Sequence, residues 1–429
     1  MMRNVLLFAL VAALFILTGA LQSWNSALGI LNMAVISAIM AIGLNMQWGY
    51  AGLFNVGVMG FAALGGLGVV LTSTSPVQGA MAAGGWRILG ALIFAVAVIV
   101  LARILWLRTT GKIRYWLLAA CLIVGAIIFR IIFDAGVEGV ESIRPTLEGN
   151  IGGLGLPVLL AWPVGAILAA GAAWAIGKTA LGLRSDYLAI ATLGIAEIIL
   201  SVMRNEEWMS RGVKNVIGLP RPVPYEVNLQ QDPDFVAWVV RHGFDPVTAS
   251  SIVVKLCYLG LFGLVLAGIM LLAELALRSP WGRMMRAIRD NEIAASAMGK
   301  DVKARHLQIF IIGSAVIGLA GAMMTTLDAQ LTPSSYQPLR YTFLIWVMVI
   351  VGGSGNNWGA MLGGFIIWWL WVMVEPIGTA ALSTLTDALS DGWLKAHLQD
   401  GVAHIRLLTM GVILLLVLRF NPRGLLPER

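Results

Sequence analysis

A close succession of apolar stretches, each about as long as a membrane-spanning helix, constrains this chain more than any other feature of its sequence. A helix that crosses a bilayer needs roughly 20 mostly apolar residues. Such stretches occupy about residues 5–21, 27–46, 50–71, 88–107, 115–133, 156–177, 187–203, 252–277, 307–327, 341–374 and 407–418. The stretch 341–374 is too long for one helix and contains a glycine-rich break at 352–357, so it predicts two helices. The sequence therefore predicts an all-α, polytopic membrane protein with about 10–12 transmembrane helices.

The composition leads to the same class of protein. Of the 429 residues, 59% are hydrophobic and 12% are charged, whereas about a quarter of the residues in soluble domains are charged. The net charge of +7 comes from residues that flank the apolar stretches and form no single basic face, which argues against nucleic acid as a partner. Cys121 and Cys257 lie in apolar stretches and indicate neither a disulfide nor a metal site.

The charged residues between the stretches predict the orientation of the chain, because short cytoplasmic loops collect Lys and Arg. Basic residues concentrate at 108–114, 178–184 and 278–306, and acidic residues at 134–148 and at Asp387, Asp391 and Asp400. With the basic set inside, both termini are cytoplasmic. A re-entrant pair at the glycine-rich break gives a similar charge pattern. The first stretch could be a signal peptide, but the poor cleavage site at residues 18–20 favours a retained helix.

Two glycine-rich interruptions lie within the apolar stretches. Their glycines are Gly49, Gly52 and Gly57 in the first, and Gly352, Gly353 and Gly355 in the second. Glycine at this density permits unwound backbone or close helix packing. In transporters, interrupted segments in the two halves of the chain line the substrate path. Both interpretations stay open, and three polar residues at the first interruption are candidates to line a path: Asn45, Gln47 and Asn55.

Acidic residues within spans are costly and tend to be functional. Glu197 lies in the middle of the stretch 187–203, where it could meet a substrate ammonium or serve as a structural partner of Thr192 or of a backbone group. Thr192 is a further candidate to line the path. Glu274 and Glu375 lie near span ends, and we expect them to face headgroups or loops.

No pattern typical of catalysis is visible. The four histidines show no metal-ligand spacing, and no nucleophile lies beside a base, so we predict neither a catalytic nor a metal site. Residues 172–179 come close to a phosphate-binding loop, but Ala172 replaces its first glycine and no strand precedes it. We therefore expect no ATP site in this chain.

The basic loop at 278–306 predicts two short helices. Ser279-Pro280 is a helix-start signal, and Arg283, Arg286 and Arg289 follow at three-residue spacing. Asp290-Asn291 breaks the pattern. A second helix then runs from Glu292 and ends at Gly299. Its small alanines would let it fit into a groove of a partner protein.

This second helix resembles the EAA loop of ABC-importer permeases. The matching residues are Glu292, Ala294, Ala295 and Gly299, followed by Ile309, while Ile293 stands where an alanine is usual. Other blocks resemble the Liv-type branched-chain amino-acid permeases, specifically their LivM-like subunit. These blocks are 43–45, 49–61, 186–194 with Glu197, 279–283, 287–289, 351–353 and 422–427, in matching order. The resemblance covers about residues 41–71 and 178–427.

The resemblance implies a permease subunit of an ATP-binding-cassette importer in a bacterial inner membrane. Such a permease pairs with a second, homologous permease. Two cytoplasmic ATP-binding subunits, which bind the ATP and Mg, drive the pair by alternating access, and a periplasmic solute-binding protein delivers the solute. The helix of Glu292, Ala294, Ala295 and Gly299 would then be the coupling helix that docks on an ATPase.

The chain departs from the family pattern in two places. The first is an insertion of extra helices and an acidic periplasmic loop at 73–155. We expect it to lie between a region of N-terminal helices at 1–72 and a permease core at 156–429. Arg211 and Lys214 replace neutral residues near the outer mouth. The substrate therefore stays open between branched-chain amino acids, related solutes and urea or short amides. An ion-coupled secondary transporter and a membrane enzyme are the alternatives from other classes.

Overall fold

The computed structural model describes residues 2–143, 149–386 and 404–428, and the chain within these ranges is mostly helical. The helices are α1 (Met2–Leu21), α2 (Trp24–Asn45), α3 (Val58–Ser73), α4 (Trp86–Arg108), α5 (Lys112–Glu141), α6 (Val158–Ala180), α7 (Ser185–Asn205), α8 (Glu207–Ser210), α9 (Glu226–Gln231), α10 (Pro233–Arg241), α11 (Pro246–Arg278), α12 (Pro280–Asp290), α13 (Glu292–Ala297), α14 (Val302–Asp328), α15 (Leu344–Gly352), α16 (Asn357–Thr386) and α17 (Ile405–Phe420). Two short strands, β1 (Val216–Ile217) and β2 (Gln330–Leu331), pair antiparallel.

The predicted apolar stretches coincide with helices. Within the described ranges, nine helices are long and apolar enough to cross a membrane, and they include α1, α2, α4–α7, α11, α14 and α16. The stretches 50–71 and 341–352 form the shorter helices Val58–Ser73 and Arg340–Gly352. The chain is therefore a multi-pass membrane protein with an all-helical membrane region.

Two sequence-based boundaries need correction. The stretch predicted from Tyr50 becomes helical only at Val58, because the glycine-rich segment before it does not continue the helix. The acidic loop predicted at 134–148 is helical as far as Glu141, and residues 144–148 lie outside the described ranges. Asp387, Asp391 and Asp400 also lie outside them.

The core is built from α2, α3, α6, α14 and α16, whose backbones approach closely at small residues. A Cβ atom added to Gly65 of α3 would lie 1.8 Å from the carbonyl oxygen of Gly318 in α14. One added to Gly43 of α2 would lie 2.8 Å from the carbonyl oxygen of Gly313. Close contact at small residues is a common way for helices to pack in a membrane, where lipid is as apolar as the side chains.

Helices α4 and α5 form an antiparallel hairpin whose side chains pack mainly on each other. Its other apolar side chains are exposed, among them Ile93, Val96, Ile99, Ile123 and Ile131. In a bilayer such a surface faces lipid.

Both chain ends lie on the same face as the loop between α11 and α14. Arg3 donates a hydrogen bond to the carbonyl of Leu425, and Arg289 of α12 forms an ion pair with Glu428. We call this side the basic face. The ribbon of β1 and β2 joins the loops that follow α8 and α14, at the opposite ends of the spans. Both chain ends thus lie beside the basic loop, as the charge pattern predicts.

Candidate functional site

Two helices are interrupted near the basic face. After α2 a π-helical turn, Met46–Tyr50, ends the helix, and no helix follows until Val58. The second interruption separates α15 from α16, and Gly353 and Gly355 adopt φ angles of 120° and 81° there. Only glycine adopts such angles readily, so these glycines are required by the backbone.

The two interruptions contact each other directly. Asn45 Oδ1 accepts a hydrogen bond from the backbone N–H of Gly355 at 2.8 Å, and Asn45 Nδ2 donates to Asn357 Oδ1 at 3.2 Å. A Cβ atom on Gly49 would lie 2.4 Å from the nitrogen of Gly355. Glycine at 49 is therefore needed for close approach. We call residues 45–57 and 352–357 together the interrupted-segment site.

The amide side chains of the first segment are fully buried and hydrogen-bonded. Gln47 Nε2 donates to Ser314 Oγ at 2.9 Å and to the carbonyl of Phe310 at 3.0 Å, both in α14. Asn55 Nδ2 donates to Gln47 Oε1 at 2.8 Å. Buried polar groups need such partners, because an unbonded group costs about 1–3 kcal/mol. In this conformation the amides hold the segment against α14.

Thr192 ties the same segment to α7. Its hydroxyl accepts a hydrogen bond from the backbone N–H of Val56 at 3.0 Å and donates to the carbonyl of Ala189 at 3.0 Å. The pairing of Thr192 with Glu197 that the sequence left open is therefore not formed here. Glu197 is partly exposed on α7.

An apolar cavity of about 590 Å³ lies beside the first segment. Trp48 and Phe54 line it together with Trp346 of α15, at ring-centroid distances of 4.5 to 5.4 Å. Trp346 Nε1 also donates to the carbonyl of Asn55 at 2.9 Å. Sequence analysis missed these aromatic residues. Trp48 and Phe54 are the sequence neighbours of Gln47 and Asn55, but nothing in the sequence indicates that they meet Trp346.

Glu274 belongs to the site, contrary to the expectation that it would face headgroups or loops. Its Oε1 accepts a hydrogen bond from Asn357 Nδ2 at 3.1 Å, and its other oxygen lies 3.6 Å from Arg278. The Tyr50 hydroxyl bonds the same Asn357 side chain. Glu375 pairs with Arg406 of α17 instead. Sequence position alone could not show that α11 ends beside the start of α16.

The basic loop folds as the sequence predicts. Ser279 caps α12 and accepts a hydrogen bond from Gly282 N at 3.3 Å, and Asn291 caps α13 by accepting from Ala294 N at 2.9 Å. Gly299 ends the second helix with φ of 77°. Such caps satisfy N–H groups that a helix start leaves unbonded.

Helix α13 presents an apolar surface to solvent. Ile293 is 84% exposed and Met298 is 78% exposed, while Ala295 is buried against Ile288 and Val302. Glu292 and Ala294 are exposed as well. Ile293 on the helix and Met298 directly after it are thus accessible to a partner protein.

Arg289 connects the loop to the interrupted-segment site. Its Nη1 donates to the carbonyl of Gly49 and to Glu428 Oε2, the latter at 2.8 Å. Burial alone would lower the pKa of Arg289, but the hydrogen bonds and charges of Glu428 and Asp290 together outweigh burial and raise the pKa above its ordinary value. The guanidinium is therefore charged.

The C-terminal segment of residues 421–428, which we call the tail, packs into the second interruption. Leu425 N and Leu426 N donate to the carbonyls of Val351 and Gly352, each at 2.8 Å. A Cβ atom on Gly353 would lie 2.3 Å from the carbonyl oxygen of Leu426. The tail thus supplies donors to carbonyls that the end of α15 leaves without helical partners.

The described ranges contain no group of three or more His, Cys, Asp or Glu side chains that could hold a metal ion. The residues that resemble a phosphate-binding loop lie inside α6 without a preceding strand. A phosphate cradle needs the strand–loop–helix arrangement.

Comparison with known proteins gives one family. Residues 119–418 match the family described as "Branched-chain amino acid transport system / permease component". A "Probable branched-chain amino acid transport permease protein LivM" of Methanocaldococcus jannaschii is 26% identical over 91% of this chain and 90% of the relative. The "High-affinity branched-chain amino acid transport system permease protein LivM" of Escherichia coli is 25% identical over 68% of this chain.

The matches differ in how much of the relative they cover. The chain spans 62% of the length of the Escherichia coli relative. A "Probable branched-chain amino acid transport permease protein LivH" of Methanocaldococcus jannaschii is 28% identical over 42% of this chain and 50% of the relative. No solved structure matches the chain.

Proposed function

The chain belongs to the family of branched-chain amino acid permease components, and from this premise we propose that it is the membrane-spanning permease subunit of an ATP-driven importer. The family consists of transport components, so the chain is not itself an enzyme. In the proposed role it moves branched-chain amino acids, or a related small solute, inward across a bacterial inner membrane.

The proposed working unit contains several proteins. A second, homologous permease completes the path, two cytoplasmic ATP-binding subunits bind ATP and Mg, and a periplasmic binding protein delivers the solute. The LivM and LivH names of two relatives of this chain, both from one organism, support a pair of different permeases. Both termini and the basic face are cytoplasmic in this orientation, as the positive-inside rule predicts.

The observation that carries the proposal is the surface of α13. A short, capped helix on the basic face exposes Ile293 and Met298 while Ala295 anchors it to α12 and α14. This is the surface expected of a coupling helix, in which Glu292, Ala294, Ala295 and Gly299 form the docking segment. Closure of the ATPases would then push α12 and α14 as a rigid body.

The interrupted-segment site is the proposed gate of the path. Its glycines at 49, 52, 57, 352, 353 and 355 allow the two segments to meet, and Asn45, Gln47, Asn55 and Thr192 hold them in the observed conformation. Opening the path would exchange these hydrogen bonds for contacts with solute. Glu197 remains the candidate to meet an ammonium group.

The three predicted regions also enter the proposal. The α4–α5 hairpin, within residues 73–155, packs mainly on itself and presents apolar side chains outward. We assign it a peripheral, lipid-facing position beside the core formed by residues 1–72 and 156–429.

The first test is an affinity pulldown of the detergent-solubilised chain, co-expressed with the products of its neighbouring genes, followed by an ATPase assay. We expect recovery of a second permease and two ATP-binding subunits, and we expect the ATPase activity of the recovered material to be lost in Glu292→Arg. Recovery of the folded chain alone would overturn the proposal. An ion-coupled secondary transporter, in which Glu197 would relay the coupling ion or proton, would then be the favoured function.

A further inference from the structure

The three arginines of α12 contact different parts of the protein. Arg283 and Arg286 donate to the carbonyls of Arg278 and Leu277, at 3.3 and 3.5 Å, and so stay at the end of α11. Arg289 instead reaches the carbonyl of Gly49 in the first interruption and the carboxylate of Glu428 in the tail.

Glu428 is itself fixed to the second interruption. The tail carries the main-chain bonds from Leu425 and Leu426 to α15, and Asn356 Nδ2 donates to the carbonyl of Leu426 at 3.1 Å. One guanidinium therefore holds the first interruption through Gly49 and the second through the tail. The contact joins chain segments that lie 240 and 139 residues away from Arg289.

Helix α12 is in turn fixed to α13. Ile288 of α12, Ala295 of α13 and Val302 of α14 form one buried cluster. Gly282 packs so tightly against the end of α11 that a Cβ atom would lie 2.4 Å from the carbonyl oxygen of Leu277. The cluster thus couples α13 to the end of α12 that carries Arg289, while the start of α12 stays on α11.

We propose that Arg289 is the positioning residue that transmits movement of α13 to both interrupted segments, with Glu428 and the tail as its second arm. This inference rests on the proposed function, because it needs ATPases that move α13. The Gly49 carbonyl belongs to the segment packed on Gly355, so a shift of Arg289 acts at the contact between the two segments.

The ion pair is suited to this role rather than to stabilising the fold. The side chains of Arg289 and Glu428 are 24% and 28% exposed, so each still reaches solvent and a polar glutamine can replace either one without leaving a charge fully buried. Losing the pair should therefore leave the protein folded while it loosens the connection between α13 and the site.

The test compares ATP hydrolysis with solute uptake in the full, reconstituted assembly. Arg289→Gln and Glu428→Gln are each expected to keep hydrolysis within about twofold and to lower uptake about tenfold, which is a typical coupling between sites. The double variant should be no worse than Arg289→Gln, because both changes remove one interaction. Glu428→Gln keeps the test available if Arg289→Gln fails to assemble, because it removes the same ion pair and leaves the main-chain bonds of the tail in place.

Arg283→Gln is the matched control, since Arg283 lies exposed on the same helix and should leave uptake unchanged. Normal uptake in all three variants would overturn the inference while leaving the proposed function intact. Hydrolysis and uptake falling in parallel, with loss of assembly, would reduce Arg289 to a structural role. Absence of ATP-driven uptake in the unaltered assembly would instead reject the proposed function, and the inference with it.

Discussion

Asn45 joins the two interrupted segments, because its Oδ1 accepts a hydrogen bond at 2.8 Å from the backbone N–H of Gly355, 310 residues away. The same side chain donates to Asn357 at the start of α16. A single buried amide thus holds the ends of α2 and α15 and the start of α16 in one arrangement. Its replacement should disturb both segments at once.

Asn45→Ala is expected to destabilise the protein by about 1–3 kcal/mol, because it leaves the buried N–H of Gly355 without its side-chain acceptor and removes one hydrogen bond of Asn357, which keeps those to Glu274 and Tyr50. Thermal unfolding in detergent measures the effect. Asn205→Ala is the control, since Asn205 is exposed at the end of α7 and bonds only within that helix. Equal unfolding temperatures for Asn45→Ala and the unaltered protein would contradict the assignment.

Gly49→Ala should lower both the stability of the protein and its uptake activity, although it adds only one methyl group. The added Cβ atom would lie 2.4 Å from both the nitrogen of Gly355 and Asn45 Oδ1, so the two segments must move apart. Overpacking of this kind costs about 1–3 kcal/mol, and uptake should fall with the unfolding temperature. Gly194→Ala in α7 meets nothing within 4 Å and should stabilise by up to about 1 kcal/mol. A Gly49→Ala variant that is more stable than Gly194→Ala would contradict the close contact between Gly49 and Gly355.

Ile293→Asp and Met298→Asp should weaken docking of the ATP-binding subunits. Both side chains are exposed, Ile293 on α13 and Met298 directly after it, and loss of an apolar contact at an interface costs about 1–2 kcal/mol, or roughly tenfold in affinity. Titration of the purified ATPase onto the permease in nanodiscs measures the dissociation constant. Val227→Asp, on exposed α9 at the opposite face, should change nothing. Unaltered affinity in the α13 variants would place the docking surface elsewhere.

Trp208→Ala should loosen the α4–α5 hairpin without stopping transport. Trp208 contacts Phe133 with ring centroids 5.8 Å apart, and its backbone N–H donates to Glu141 at 3.2 Å. Hydrogen exchange at the ends of α4 and α5 should quicken, while exchange in α14 stays slow. Trp238→Ala, on exposed α10, serves as the comparison. Uptake abolished by Trp208→Ala would contradict the peripheral position of the hairpin.

The sequence predicts the helices well because each span needs a long apolar stretch, and length and hydropathy can be read directly. The helix starts at Ser279 and Asn291 were also predictable, since caps depend on residues next to the helix they begin. The glycines at 49, 52 and 57 indicated an interruption there, but hydropathy alone placed the start of the span at Tyr50 rather than at Val58.

The site was only half predictable. Glycine clusters marked both interruptions, but whether Gln47 or Trp48 faces the bundle interior depends on the direction of the chain after α2, which no local pattern gives. The parts played by Glu274 and Glu428 depend on contacts between distant segments. Contacts between residues far apart in the chain cannot be inferred from the local pattern of a single sequence.

The most direct test of the account is uptake of labelled leucine into proteoliposomes that contain the chain, its second permease and the ATP-binding subunits, with binding protein outside and ATP inside. The account predicts accumulation that requires ATP hydrolysis and is lost in Glu292→Arg, although the variant inserts normally. Uptake that survives without ATP and collapses with an ion gradient would contradict it.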